Sequence, residues 1–171
     1  AYTDRAMSLG DRHWGIIGVS LRSNSVARQL NPQAGLYTIA ERTGDGTSFR
    51  LIGAVRNVLV ASYEKEAICE AIAYPTTHVI SFTITEKGYC RAADGNIDFE
   101  LAGESSVYRF LTDGLALRKE RGLSGVTLLS CDNLAENGKQ LNRLLNQYLA
   151  KHSPDLADWV QAHCTFPCSM V

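Results

Sequence analysis

From residue 64 onward, short apolar runs alternate with amphipathic stretches of helical period, and this alternation restricts the fold more than any other feature. Ala67, Ile68, Ala71 and Ile72 form an apolar stripe, Glu64, Lys65, Glu66 and Glu70 lie off it, and Pro75 stops the helix. Val79 to Thr85 is rich in β-branched residues and reads as a strand ending in the polar cluster Glu86-Lys87-Gly88. Residues 91–106 read as a polar loop. Val107, Phe110, Leu111 and Leu115 then recur at helical spacing, with Arg118, Lys119 and Arg121 in the last turn and Gly122 as the cap. Val126 to Ser130 is a second buried strand, followed by a helix on Leu141, Leu144, Leu145, Tyr148 and Leu149. A final short helix opens at Ser153-Pro154, with Leu156, Trp159 and Val160 inward. Helices long enough to cross between strands imply a parallel α/β sheet.

The first third of the chain reads differently. Trp14 to Val19 is a continuous apolar run, the pattern of a strand covered on both faces. Leu36–Ala40 and Phe49–Val55 flank Thr43-Gly44-Asp45-Gly46, a hairpin signal, and Val58-Leu59-Val60 extends this into an antiparallel ribbon. The expected fold is therefore one α/β layer structure, a mostly parallel sheet flanked by helices, with a small antiparallel insertion near residues 36–62.

Composition excludes several functions. Seventeen Lys and Arg against 18 Asp and Glu leave a formal charge of −1, which supplies no electrostatic footprint for nucleic acid or an anionic membrane. No apolar run approaches the roughly eighteen residues that a membrane-spanning helix requires. Five cysteines cannot all pair within the chain, and four lie in apolar or weakly polar segments, so a cytoplasmic location is expected. His163, Cys164 and Cys168 are too few for a structural zinc site and have no second ligand pair, so no metal is expected. The run from Ala1 to Met7 begins in what reads as mid-helix and Phe166 to Val171 stops on an apolar residue, which gives the expectation of a piece from a longer chain.

In an open parallel sheet, ligands bind off the carboxyl ends of the strands. Three such ends carry polar residues: Ser20-Leu21-Arg22, Thr85-Glu86-Lys87-Gly88 and Ser130-Cys131-Asp132-Asn133. They line one crevice, or they are simply where polar loops begin. Asn133 has two readings as well. Its amide donates to a developing alkoxide oxygen, or Asp132 or Asn133 caps the next helix. The sequence has no G-x-G-x-x-G after a strand, no phosphate-binding G-x-x-x-x-G-K-S/T and no G-x-S-x-G elbow.

Thr83-Ile84-Thr85-Glu86-Lys87-Gly88-Tyr89-Cys90 is similar to the T-x-T-E-x-G-Y segment of the mannitol dehydrogenase family, the long-chain, polyol-specific NAD-dependent dehydrogenases that include mannitol 2-dehydrogenase and fructuronate reductase. Ser130-Cys131-Asp132-Asn133 through Asn137-Gly138 resembles that family's S-C-D-N-x-x-x-N-G signature, and Phe166 to Val171 resembles its F-P-x-[ST]-M-V-D-R motif. The resemblance runs in order over essentially the whole chain. It implies an N-terminal Rossmann-type domain, present here in part as residues 1–171. The family's glycine-rich loop would lie upstream of Ala1, and its catalytic lysine downstream in a helical domain.

The reaction implied is hydride transfer between a nicotinamide cofactor and C2 of a polyol or ketose, or of a sugar acid, as in mannitol/fructose or mannonate/fructuronate. Asn133 then aligns with one of two asparagines that form an oxyanion hole for the C2 alkoxide. Ser20 and Arg22 fall at the adenosine-ribose end, and Thr85, Glu86 and Val171 fall near cofactor or substrate. The expected cofactor is NAD on family grounds, while the absence of a carboxylate at the end of the Trp14 strand and the presence of Arg22 leave NADP open. The fragment alone is expected to be inactive. Oligomeric state is not readable, and the rival function is a non-catalytic nucleotide-binding or protein-interaction module.

Overall fold

A computed structural model describes residues 2–170, so Val171 lies outside the described residues. The fold is Rossmann-like α/β: parallel strand pairs flanked by helices, with a small antiparallel sheet. The chain divides into two compact units, residues 1–64 and 65–171.

The first unit begins with α1 (Tyr2–Ser8) and β1 (Ile16–Ser20), followed by α2 (Ser25–Leu30) and a 3-10 turn, Asn31–Gln33. β2 (Tyr37–Thr43) and β3 (Gly46–Ile52) pair antiparallel, with Thr43 opposite Gly46, so the turn signal at residues 43–46 closes the hairpin as its chemistry demands. β4 (Val55–Val60) leaves this ribbon and pairs parallel with β1, with Gly18 opposite Val58. The expected extension of the ribbon through Val58 to Val60 is thereby corrected: these residues form the parallel pair. Packing supplies the reason. Val58 and Val60 bury with Ala27 of α2, against Leu30 and Val55, which the exposed ribbon could not offer. Asn31 pairs its amide with both main-chain groups of Val58, donating to the carbonyl and accepting from the N–H at 2.9 Å each. It satisfies them as a neighbouring strand would and closes that edge. The apolar run of β1, expected to be covered on both faces, is instead half-exposed, with Ile17 at 49% and Val19 at 43%.

The second unit runs α3 (Lys65–Ile72), β5 (Val79–Phe82), the one-turn α4 (Thr85–Gly88), α5 (Val107–Glu120), β6 (Thr127–Ser130), α6 (Asn137–His152) and α7 (Pro154–His163). β5 and β6 are parallel and in register, with Phe82 opposite Ser130, and Thr165 bridges to Thr127 on β6. The core is the leucine set foreseen from periodicity: Leu111 and Leu115 of α5, Leu128 of β6, Leu141, Leu144, Leu145 and Leu149 of α6, and Val160 of α7, all buried. Gly122 ends α5 at φ 65°, and the Gly122 and Leu123 amides return to the carbonyls of Lys119 and Arg118, so the last turn is satisfied.

Arg118 is buried within this unit. Its Nε donates to the Ser124 carbonyl at 2.6 Å, and its Nη1 donates to those of Ile72 and Tyr74 at 3.0 and 2.9 Å. The Ile72 and Tyr74 carbonyls lie at and beyond the end of α3, where a helix leaves acceptors unpaired and favours a cation. The helical period placed Arg118 only as a last-turn cation. Its interior position follows from the packing of α5 on α3, close enough that a Cβ on Gly114 would meet Ile72 at 2.7 Å. No described helix is long and apolar enough to cross a membrane.

Candidate functional site at the ends of the parallel strands

The expected strand from Val79 to Thr85 stops at Phe82, because the chain turns where the side chain of Asp132 takes over its hydrogen bonds. Cys131 N–H donates to the Phe82 carbonyl at 2.8 Å, the last rung between β5 and β6. Beyond it, Asp132 Oδ2 accepts the Ile84 N–H at 3.1 Å and Oδ1 accepts the Thr85 N–H at 3.0 Å. Thr85 enters α4 at φ 62°, a left-handed conformation in which a β-branched residue is strained. The Tyr89 hydroxyl, at the far end of the same turn, donates to Asp132 Oδ2 at 2.9 Å and lies 2.6 Å from Ser130 Oγ. Since the phenol proton is directed to the carboxylate, the Ser130 hydroxyl is the donor in the second bond. Burial pushes the Tyr89 phenol above its ordinary range, so it remains a neutral donor.

Asn137 holds a second set of bonds. Its buried amide donates to the Asp132 carbonyl, the Ser169 carbonyl and Ser169 Oγ at 3.1, 3.1 and 2.9 Å, and its Oδ1 accepts the Gly138 and Ser169 N–H groups at 2.8 and 2.9 Å. Ser169 Oγ in turn donates to the Ser130 carbonyl at 2.6 Å. The segment after α7 is thereby drawn across the first turn of α6. Gly138 permits that approach, since a Cβ there would lie 2.4 Å from the Pro167 carbonyl oxygen. Three stretches that the sequence separates, 84–89, 130–138 and 166–170, meet in one hydrogen-bonded cluster.

Asn133 stands exposed one residue beyond Asp132, and its side chain has no hydrogen-bond partner among the described residues. The capping alternative is corrected here. α6 begins at Asn137, its N-cap is Glu136 at φ 50°, and no side chain caps it, so neither Asp132 nor Asn133 serves that end. Glu86 is exposed and pairs with Arg91 at 2.8 Å. In the first unit, Ser20 ends β1 with its carbonyl accepting the Ala61 N–H at 3.0 Å. Arg22 is exposed in the following loop, with no carboxylate partner among the described residues. That loop offers a guanidinium and the hydroxyls of Ser20, Ser23 and Ser25, a donor set that suits ribose and phosphate oxygens. It contains no acceptor carboxylate that would select a free 2′-hydroxyl. Asp132 was weighed in sequence only as a cap, and Tyr89, Asn137 and Ser169 were not singled out. Their signal was present in the three motif runs, 83–90, 130–138 and 166–171.

The chain matches the mannitol dehydrogenase Rossmann domain over residues 3–171. It is 34% identical to D-mannonate oxidoreductase of Escherichia coli over 185 residues, covering 99% of this chain and 38% of that protein. It is 33% identical to mannitol 2-dehydrogenase of Pyricularia oryzae over 186 residues, covering 99% and 37%. Among solved structures, the mannitol 2-dehydrogenase of Pseudomonas fluorescens in a ternary complex with NAD and D-mannitol superimposes with a TM-score of 0.85 at 35% identity, over 96% of this chain and 37% of that one. The chain thus spans little more than a third of the length of the relatives it matches. On fold, motif order and similarity together, the chain belongs to the mannitol dehydrogenase family, as its Rossmann domain.

Proposed function

We propose that residues 1–171 are part of the N-terminal cofactor domain of a nicotinamide-dependent oxidoreductase that moves a hydride between the cofactor and C2 of a polyol, ketose or sugar acid. The observation that carries this reading is Asn133: an exposed amide without a capping role, set off the end of β6 beside a turn locked by Asp132. A nicotinamide, when bound, supplies the hydride acceptor or donor.

The chain's own residues supply placement and charge. Asn133 Nδ2 donates to the C2 oxygen as negative charge develops on it, and the bonds that hold the neighbouring Asp132 limit the reorganisation this donation requires. Thr85 and Glu86 lie near cofactor or substrate, and the family resemblance assigns the same role to Val171, which is outside the described residues. Ser20 and Arg22 hold the adenosine side. NAD, named with the Pseudomonas fluorescens relative, is the cofactor of choice. Arg22 leaves NADP open, because a guanidinium can accept a 2′-phosphate. The general acid/base, a lysine, and the pyrophosphate-binding glycine loop belong to the remainder of the protein. Residues 1–171 alone therefore bind NAD weakly and give no turnover.

The test is NAD- and NADP-linked oxidation of mannitol and of mannonate by the full-length protein. Turnover of either supports the reading and selects the substrate. Cofactor binding without turnover of any hexitol or hexonate would return the protein to the non-catalytic module.

A further inference from the structure

Asp132 lies outside every strand and helix, yet its two carboxylate oxygens accept three hydrogen bonds, from the Ile84 and Thr85 amides and the Tyr89 hydroxyl. Both ends of the Thr85–Gly88 turn are thus tied to one side chain. The turn needs such a tie. A single turn of helix cannot satisfy its own first amides, and Thr85 enters it at φ 62°, where its branched Cβ is disfavoured. Tyr89 is 1% exposed and held from behind by the Ser130 hydroxyl, so the carboxylate is gripped as firmly as it grips. The Asp132 carbonyl is fixed separately by Asn137 at 3.1 Å. Asn133 follows Asp132 by one peptide bond, and its side chain is exposed with no hydrogen-bond partner among the described residues.

We infer that Asp132 is a positioning residue: by clamping the Ile84 and Thr85 amides and the Tyr89 hydroxyl, it keeps the turn that carries Thr85 and Glu86 in one register with Asn133. Its kinetic consequence rests on the dehydrogenase reading, whereas the clamp itself does not. The sharpest variant is Asp132→Asn, which keeps the shape but replaces one acceptor oxygen with an amino group facing a main-chain N–H or the phenol.

Four quantities are to be measured on the full-length protein and on this variant: the NADH dissociation constant, kcat and KM for the polyol, and hydrogen exchange at the Thr85 amide. With one bond of a clamped pair lost, NADH dissociation should weaken roughly tenfold to a hundredfold and Thr85 exchange should accelerate by a like factor. kcat should fall as Asn133 loses its register, while KM for the polyol changes by less than about threefold. In a Thr85→Gly background the same substitution should cost less, because glycine reaches this φ unaided.

A merely structural Asp132 would lower the melting temperature and leave the dissociation constant and kcat of the folded protein intact, which overturns the inference. Unchanged exchange at Thr85 overturns it as well. Should Asp132→Asn not fold, Tyr89→Phe removes one of the three bonds, and a change in NADH dissociation below about twofold would count against it equally. If the unsubstituted protein binds no NADH, the dehydrogenase reading falls and the positioning role falls with it, while faster Thr85 exchange in Asp132→Asn would still show the clamp to be real.

Discussion

The two units finish their parallel strands in opposite ways. At the end of β1, Ser20 is held by a main-chain bond to Ala61, Ser23 and Ser25 share a hydrogen bond, and Arg22 stands in solvent. At the ends of β5 and β6, Asp132, Tyr89, Ser130, Asn137 and Ser169 tie three chain segments together. The interiors differ in the same sense. The first unit buries a cluster of Ala27, Val58 and Val60, whereas the second buries leucines on α5, β6 and α6 and an arginine bonded to three main-chain carbonyls. The contrast is one of precision. Side chains locked by hydrogen bonds and packing hold their neighbours to within about half an ångström, whereas the exposed donors of the β1 loop can follow what they meet.

The first way to break this comparison is to remove one arginine from each unit, the buried Arg118 and the exposed Arg22. Arg118→Met should lower the unfolding free energy by about 3–5 kcal/mol, because three carbonyls lose the buried guanidinium that bonds them. Arg22→Met in the open loop should change it by less than about 0.5 kcal/mol. Urea titration of both variants measures the difference, and similar midpoints would show that the second unit is no more tightly built than the first.

Asn133→Ala tests whether the locked end serves chemistry. kcat in the full-length protein should fall roughly a hundredfold, the scale for a lost oxyanion donor, with the melting temperature unchanged because no helix cap is removed. A loss below about threefold in a folded variant would take Asn133 out of the reaction.

A smaller effect is expected at Asn137. Its replacement by Ala should cost about 2 kcal/mol and release the segment around Ser169, seen as faster proteolysis after residue 166. Proteolysis at the rate of the unsubstituted protein would mean that the segment is held by Gly138 packing alone.

The smallest effect sharpens the open end. Arg22→Ala should reduce NADP-linked kcat/KM by about five- to tenfold and leave NAD-linked activity nearly unchanged, the modest scale of an exposed charge pair. Equal effects on both cofactors would remove Arg22 from the 2′-position.

Much of this molecule was legible in local pattern. The stripes of α3, α5, α6 and α7, the hairpin at residues 43–46, the Gly122 cap and the order of three family motifs all depend on residues within a few positions of one another. The departures share a different cause. Val60 was read with the nearest ribbon, but it pairs with Ser20, forty residues earlier in the chain. The β5 strand was read through Thr85, but Asp132 captures the amides of residues 84 and 85. Asn133 was weighed as a cap, but α6 starts four residues later.

The sequence by itself therefore determined the α/β alternation, the leucine core and the family to which the chain belongs. These follow from periodicity, turn chemistry and motif spacing, all short-range properties of a chain. Only the tertiary structure decided that β4 joins β1, that Arg118 lies inside, and that Asp132 and Asn137 hold the site while Asn133 is left free. The β4 pairing turns on which apolar side chains share a core, and the others turn on which distant main-chain groups compete for a polar side chain withdrawn from water. That competition is settled by packing, because an unpaired donor or acceptor is costly only once water has been excluded.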